Sequence, residues 1–270
     1  MSSICFIGAG NMASSIIGGL IAKGILAEQI SASDPNTEAL SRLQQGFGIK
    51  TFTDNQAACK HQDVVVLAVK PQVLRAVAQG IASALNPQAL VISIAAGISS
   101  EHLCQWLGKD RAIVRCMPNT PALVKQGASG LYANTHVSTQ QKQLAEDLLT
   151  AVGITVWLDE QAQMDPVTAV SGSGPGYFFL LMEAMIDAGT KQGLSPEQAR
   201  QLTLQTAAGA AKLAQQSDVD VAELRRRVSS PGGTTEQAIL SFEQAGFHQI
   251  VDDAMVACAQ RSKAMALEFT

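Results

Sequence analysis

The pattern of hydrophobic and polar positions changes once along the chain, near residue 160. Before that point, short runs rich in Val and Ile alternate with longer segments in which apolar residues recur at helical spacing. The predicted strands are ICFIGAG, QISASD, VVVLAV, ALVISIAAG, AIVRCMPN, ASGLYAN and GITVWLD. Strands that alternate with helices of this length need right-handed crossover connections. The pattern therefore predicts an α/β domain with a doubly wound, largely parallel sheet of the Rossmann type.

After Asp159 the strand pattern disappears and helical spacing takes over. The segment LSPEQA predicts a helix start, with Ser195 as N-cap and Pro196 in the first helical position. The helix that follows is rich in Ala, which favours close packing in a bundle and contact between subunits. We therefore expect a dinucleotide-binding domain over residues 1–162 and an all-helical domain over residues 163–270, with a homodimer or higher homo-oligomer built on the helical domain.

Composition and charge narrow the possible functions. Hydrophobic residues make up 47% of the chain, yet no stretch approaches the roughly 20 apolar residues that a membrane-spanning helix needs. The net charge is −4 and the longest basic run is Arg225–Arg227, so we expect no binding of nucleic acid. No basic leader precedes the first apolar run, and we expect a cytoplasmic protein.

The metal-binding residue types are scattered. The five cysteines and four histidines show no CxxC pair and no spacing typical of metal ligands. We therefore predict reduced thiols in the core and no metal site.

A glycine-rich loop follows the first predicted strand and opens the first predicted helix. Its residues are Gly8, Ala9, Gly10, Asn11, Met12 and Ala13, which match the G-x-G-x-x-G/A pattern of dinucleotide-binding loops. Gly8 permits the tight turn, Gly10 lets a pyrophosphate approach the backbone, and Ala13 lets the helix pack on the strand. The free N–H groups at the helix start would hold the phosphates.

The second predicted strand ends at Ser33 and Asp34, where Rossmann-type folds contact the adenine ribose. A carboxylate at Asp34 would accept a hydrogen bond from a ribose 2′-hydroxyl and repel a 2′-phosphate, which favours NADH over NADPH. Alternatively, Asp34 caps the turn that begins at Pro35. Asn55, after the next turn, is a second candidate for the ribose.

Two further strand ends belong to the expected cofactor edge, because ligands of open α/β sheets collect at the carboxyl ends of the strands. One end carries Ala68, Val69, Lys70 and Pro71, and the other carries Ala95, Ala96 and Gly97. Lys70 either faces the cofactor or is a solvated loop residue. The small residues of the second end suit the close approach of a flat ring or a ribose.

Taken together, these segments resemble the pyrroline-5-carboxylate reductases. The matching segments occur in the order of that family and cover nearly the whole chain: FIGAGNMA, LAVKPQ, ISIAAGIS, RCMPNTPA, VTAVSGSGP and VSSPGGTTEQAI. The resemblance implies reduction of 1-pyrroline-5-carboxylate to L-proline with NADPH or NADH. It also implies a Rossmann domain joined to an all-helical dimerisation domain. Many members of the family use NADPH.

The segment SPGGTT then gains a possible role as the substrate site. A helix that begins after Gly233 exposes the N–H groups of its first turn, and Gly232 and Gly233 would let the substrate carboxylate reach that backbone. The resemblance implies that Thr235 hydrogen-bonds the ring nitrogen, and that Ser230 and Thr234 complete a polar cup. The alternative is that Ser229 or Ser230 merely caps the helix.

The resemblance extends to residues outside this segment. Met117, Pro118 and Asn119 would line the nicotinamide side of the cleft, and Asp218 would assist protonation of the imine. Asp218 is alternatively a solvated loop residue. The second glycine-rich segment, Ser171–Pro175, either adds to the site or lets helices cross closely.

Two rival functions remain. The 3-hydroxyacid dehydrogenases share the layout but place a lysine and an asparagine on the helix after their second glycine-rich motif. Here that helix reads GPGYFFLLMEAM and has no lysine before Lys191. A non-catalytic dinucleotide sensor would need no cup for a carboxylate, so the intact SPGGTT segment argues against it.

Overall fold

The structure is a computed structural model that describes residues 2–268. Contacts between residues divide the chain into two compact units. The first unit runs to Ser173 and includes the chain again from Ala257, and the second unit is Gly174–Val256. The domain division at residue 162 remains a prediction.

An eight-stranded sheet forms the centre of the first unit, in the order β3-β2-β1-β4-β5-β6-β7-β8. The strands are β1 (Ile4–Ile7), β2 (Ile30–Ser33), β3 (Lys50–Phe52), β4 (Val64–Leu67), β5 (Leu90–Ser93), β6 (Ile113–Met117), β7 (Gly127–Ala133) and β8 (Gly153–Trp157). Neighbouring strands are parallel except β6 and β7, which are antiparallel. The predicted Rossmann-type sheet is thus confirmed. Its strand order reverses between β1 and β4, where such sheets bind ligands.

Helices cover both faces of this sheet. They are α1 (Asn11–Ala22), α2 (Thr37–Phe47), α3 (Asn55–Cys59), α4 (Pro71–Ile81), α5 (Ser100–Leu107), α6 (Thr139–Leu149) and α7 (Met164–Val167), and a π-helical turn follows at Thr168–Gly172. Short 3₁₀ turns lie at Ala27–Gln29, Thr120–Val124, Thr150–Val152 and Gln161–Gln163.

The two sheet faces bury alternate residues of each strand. On β1, Ile4 and Phe6 join one hydrophobic cluster, and Cys5 and Ile7 join the other. Because helices shield both faces, the central strands are apolar throughout, which is why they appear in the sequence as continuous Val- and Ile-rich runs.

The sequence pattern does not predict β3. This strand has only three residues, none of which is fully buried, and it lies at the edge of the sheet. A short, half-exposed edge strand carries neither a continuous apolar run nor enough residues to show alternation.

The second unit is helical. It contains α8 (Gly174–Lys191), α9 (Pro196–Gln216), α10 (Val221–Arg227), α11 (Thr234–Gln244) and the first part of α12 (Phe247–Glu268). The predicted start of α9 is confirmed, since Ser195 is the N-cap and its Oγ accepts a hydrogen bond from the N–H of Gln198 at 3.2 Å. Gln198 Oε1 accepts the N–H of Ser195 in return, at 2.9 Å. This is a complete capping box.

Few side chains of the second unit are buried within the single chain. Among its residues, only Gly174, Ala199 and Thr203 are fully buried. On α8 the neighbouring Phe178, Phe179 and Leu180 are 64%, 61% and 68% exposed. So large an apolar surface is typical of a protein interface.

The structure bears on two predictions made above, the free state of the cysteines and the lack of a membrane-spanning helix. All five cysteines are free, and burial raises the pKa of the Cys5 and Cys116 thiols to about 12. Within residues 2–268, no helix combines the length and the apolar character needed to cross a membrane.

Candidate active site

The glycine-rich loop joins β1 to α1. Gly8 has φ +108°, and a Cβ there would lie 2.5 Å from the carbonyl oxygen of Ala68, so only glycine fits this close approach. Gly10 is the N-cap of α1 and makes no side-chain cap, and a Cβ on it would have no atom within 4 Å. The open space beside Gly10 and the uncapped helix start fit a pyrophosphate group. Ala13 is buried, as the motif requires.

Asp34 lies against the glycine-rich loop. Its Oδ2 accepts a hydrogen bond from the N–H of Ala9 at 2.8 Å, and its Oδ1 accepts one from the N–H of Asn36 at 2.8 Å. The carboxylate therefore caps the turn, as the alternative interpretation proposed, while it also reaches the loop. Turn capping and a ribose contact do not exclude each other, and the ribose contact remains a prediction.

Ser33 and Asn55 are joined at the same edge of the sheet. The Ser33 hydroxyl donates to Asn55 Oδ1 at 2.7 Å, and this bond connects the end of β2 with the first residue of α3. The structure thus brings together Ser33, Asp34 and Asn55, which were each predicted from the sequence to contact the ribose.

The segment after β4 reaches the same region. The N–H of Ala68 donates to the carbonyl of Ile7 at 2.8 Å, which holds the segment beside the end of β1. Val69 follows, Lys70 is the exposed N-cap of α4, and Pro71 is its first residue. The exposure of Lys70 is compatible with both of its interpretations.

The turn after β5 has a neighbour that the sequence did not predict. A Cβ on Gly97 would lie 3.3 Å from the backbone nitrogen of Ala266, so the last turns of α12 pack on this turn. The same helix is attached a little earlier, where the Ser262 hydroxyl donates to Asp165 Oδ1 at 2.7 Å. The last turns of α12 therefore occupy the space beside Gly97, one of the three predicted cofactor residues of this turn.

The last residue of β6 and the residues that follow it have structural partners of their own. The buried Asn119 donates from Nδ2 to the carbonyl of Ser171 at 3.0 Å and accepts at Oδ1 from the N–H of Ala128 at 2.9 Å. The Met117 side chain lies so close to Gly172 that a Cβ there would be 2.5 Å from its Cε. Gly172 in the second glycine-rich segment thus admits a side chain of β6, whereas the predicted close crossing of helices at this segment remains a prediction.

In the second unit, α11 begins at Thr234, as predicted from SPGGTT. Its N-cap is Gly233, and no side chain caps the helix. The Ser229 hydroxyl donates instead to the carbonyl of Arg225 at 2.8 Å. The alternative in which Ser229 or Ser230 caps this helix is therefore wrong.

The two glycine amides expected to bind the substrate carboxylate already have acceptors. The N–H of Gly233 donates to the carbonyl of Ser230 at 2.9 Å, and the N–H of Gly232 donates to Glu236 Oε2 at 2.7 Å. The helix start is left with the amides of Thr234 and Thr235, which lie in its uncapped first turn. Glu236 was not among the residues predicted from the sequence, although Glu at the third helical position is a known signal of a carboxylate that folds back on the helix start.

Asp218 lies in the connection between α9 and α10, where it is exposed. The neighbouring Asp220 is the N-cap of α10 and accepts the N–H of Glu223 at 2.7 Å. Among residues 2–268, no hydrogen bond or ion pair joins Asp218 to the SPGGTT segment. Its solvated interpretation fits these surroundings.

Known proteins match both the sheet-containing part and the helical part of the chain. The family model described as pyrroline-5-carboxylate reductase dimerisation matches residues 161–265, and the model described as NADP oxidoreductase, coenzyme F420-dependent, matches residues 3–97. The pyrroline-5-carboxylate reductase of Pseudomonas aeruginosa is 59% identical over 263 residues, which are 97% of this chain and 96% of that protein. That of Pasteurella multocida is 47% identical and covered to 97% on both sides.

Solved structures of similar proteins also match the chain at nearly full length. A pyrroline-5-carboxylate reductase from Coxiella burnetii superposes with a TM-score of 0.94 at 42% identity, over 98% of each chain. The Plasmodium falciparum pyrroline carboxylate reductase with NADP bound has a TM-score of 0.87 at 33% identity, again over 98% of each chain. Both the cofactor half and the helical half are matched at nearly full length, and the chain belongs to the pyrroline-5-carboxylate reductase family.

Proposed function

We propose that the protein reduces 1-pyrroline-5-carboxylate to L-proline with NADPH or NADH. The observation that carries the proposal is the start of α11, where the first-turn amides of Thr234 and Thr235 are left without a side-chain cap after a Pro-Gly-Gly turn. A helix start of this kind binds small anions, because unpaired N–H groups and the helix dipole both favour negative charge. The dipole contributes only about 0.3–2 kcal/mol, so direct hydrogen bonds must supply much of the affinity.

The glycine-rich loop fits a dinucleotide. The space beside Gly10 and the uncapped start of α1 would hold the pyrophosphate, and Ser33, Asp34 and Asn55 would meet the ribose. The turn at Ala95–Gly97 and Met117 would border the nicotinamide. When bound, the reduced nicotinamide supplies a hydride.

The chain's own residues then have two tasks. The first is to hold the carboxylate and the ring of the imine in a fixed orientation, which Thr234, Thr235 and Ser230 would do. The second is to handle the proton. In the protonated imine the nitrogen already carries a proton, so hydride addition at the carbon of the C=N bond would give the neutral amine without a further proton donor, and the Thr235 hydroxyl would hold this N–H by a hydrogen bond. No covalent intermediate is needed, because a protonated imine is already electrophilic.

An assay of purified protein tests this function. We expect NADPH or NADH to be oxidised only when 1-pyrroline-5-carboxylate is supplied, with L-proline as the product, and 3-hydroxyacids with the oxidised cofactors serve as the control for the rival enzyme class. Faster reaction with hydroxyacids than with the imine, or binding of the dinucleotide without turnover, would contradict the proposal.

We also propose that the active form is a homodimer or a higher homo-oligomer built on the helical unit. The dimerisation model that matches residues 161–265 and the exposed apolar residues of α8 support it. The proposed partners are other copies of the chain and the small-molecule substrate. The net charge of −4 argues against a nucleic-acid partner. The cytoplasmic location remains a prediction from the sequence.

A further inference from the structure

A carboxylate of the chain itself lies at the proposed substrate site. Glu236 is in the first turn of α11, and its Oε2 accepts the N–H of Gly232 at 2.7 Å. Gly232 adopts φ +71°, a left-handed conformation that suits glycine and that presents this N–H toward the helix start. The helix end proposed to attract the substrate's negative charge thus already has a negative charge beside it.

The charge of Glu236 is not cancelled by the nearby arginines. Among residues 2–268, Arg225 pairs with Glu243 at 3.1 Å, and Arg226 and Arg227 both pair with Glu223 at 2.9 Å. None of the ion pairs in this part of the chain includes Glu236. Its carboxylate therefore acts on whatever binds to the neighbouring amides.

This charge affects different ligands in different ways. A plain carboxylate on the amides of Thr234 and Thr235 would lie within one helical turn of Glu236 and be repelled by it. A ring that carries a positive nitrogen next to its carboxylate brings a compensating charge, and its attraction to Glu236 offsets the repulsion. The same attraction favours the protonated form of an imine over the neutral form.

We propose that Glu236 makes the site selective for zwitterionic cyclic imines and amines over plain carboxylate anions. This inference rests on the proposed function, since it concerns the substrate class of that same site. It also gives Glu236 the electrostatic support of the iminium, whereas the family resemblance suggested that a different carboxylate, Asp218, assists protonation of the imine.

The test compares two ligands of the same shape in three proteins. L-proline is the zwitterion, and cyclopentanecarboxylate has the same ring size with no nitrogen. Glu236→Gln keeps an oxygen that can accept the Gly232 N–H and removes the charge. The matched control is Glu197→Gln, which alters a first-turn glutamate of α9 whose carboxylate contacts Gln201 at 2.7 Å. Inhibition constants of both ligands are measured against imine reduction, and their dissociation constants by calorimetry.

We expect Glu236→Gln to bind cyclopentanecarboxylate about tenfold more tightly than the parent, because a repulsion within one turn is removed. Binding of proline should stay the same or weaken, and the control should match the parent for both ligands. Equal changes in affinity for the two ligands would show that Glu236 only shapes the turn, and they would overturn the inference. No change for either ligand would overturn it as well.

Two further measurements keep the inference testable if Glu236→Gln does not fold. In the parent, added salt should narrow the preference for proline over cyclopentanecarboxylate, because salt screens partly exposed charges. Glu236→Asp, which keeps the charge on a shorter side chain, should retain the preference. A salt-independent preference, or its loss in Glu236→Asp, would contradict the inference. A parent that reduces the imine yet fails these tests refutes only the role of Glu236, whereas a parent that neither reduces the imine nor binds proline refutes the proposed function too.

Discussion

At the scale of single residues, Asp34 combines a structural and an electrostatic role. Its two carboxylate oxygens hold the amides of Ala9 and Asn36, so the side chain is fixed beside the glycine-rich loop before any cofactor binds. A fixed negative charge at this place would disfavour a 2′-phosphate more than a mobile one would, because it does not swing away at low cost.

We predict that Asp34→Ser raises the ratio of kcat/KM for NADPH to kcat/KM for NADH by about tenfold, which corresponds to about 1.4 kcal/mol of relieved repulsion. Steady-state kinetics with both cofactors measures this ratio. Asp147→Ser, a change on the exposed side of α6, is the control and should leave the ratio unchanged. An unchanged ratio in Asp34→Ser would mean that Asp34 does not discriminate between the cofactors.

Thr235 gives a second prediction at this scale. Thr235→Ala should lower kcat by about a hundredfold, at the low end of the usual effect of a positioned proton-handling group, while the KM for the cofactor stays near the parent value. Thr235→Ser restores the hydroxyl and should recover most of the activity. If the alanine variant turned over at the parent rate, Thr235 would have no part in the reaction.

Single residues also show what the sequence could and could not predict. The conformation of Gly8 and the helix starts at Asn11 and Thr234 follow from local patterns, and the structure has them. One partner of Asn119, the carbonyl of Ser171, lies 52 residues away in the sequence, so no local pattern could reveal that its amide is used by the fold. Glu236 had a local signal, but its importance depends on the Gly232 amide that only the structure places beside it.

At the scale of elements, the last helix supports one turn of the expected cofactor edge. The later part of α12 belongs to the first unit, packs on the turn at Gly97 and is attached through Ser262 to Asp165. The sequence predicts a helix here but not its partner, since contacts between segments so far apart in the chain leave no periodic trace. The missed strand β3 is the opposite case, in which the element itself is too short to be predicted.

We predict that Ser262→Ala lowers the free energy of unfolding by about 1.5–3 kcal/mol, because a buried hydroxyl that donates to a carboxylate is lost. The KM for the cofactor should rise at the same time, since the turn at Gly97 loses part of its support. Denaturant unfolding and kinetics measure the two effects. Ser241→Ala, at an exposed position of α11, is the control. A stable Ser262→Ala variant with an unchanged KM would show that α12 does not support this edge.

At the scale of the whole molecule, the two units differ in how they are stabilised. The first unit has two continuous hydrophobic clusters on either side of its sheet, whereas the second has only three fully buried residues among those described. The large exposed apolar surface of the helical unit supports the proposed association with another copy of the chain. The Ala-rich sequence predicted the bundle, but the absence of an internal core appears only when the exposure of each side chain is known.

We predict that the melting temperature rises when the protein concentration is increased about a hundredfold, because association stabilises the folded chain by mass action. Phe179→Glu, which places a charge on the exposed apolar run of α8, should sediment as a monomer and unfold at a lower temperature. Calorimetry and analytical ultracentrifugation test this pair. A concentration-independent melting temperature, with monomers in the parent sample, would contradict it.

The bare apolar run of α8 has a consequence for the cell. If copies pair through this run as proposed, a newly synthesised chain would have to meet a second copy while proteases and chaperones compete for the same exposed apolar helices. With few copies present, that encounter would be slow and more chains would be destroyed before pairing. The amount of mature protein would therefore increase more steeply than its rate of synthesis, so modest changes in expression would be amplified at the level of assembled molecules.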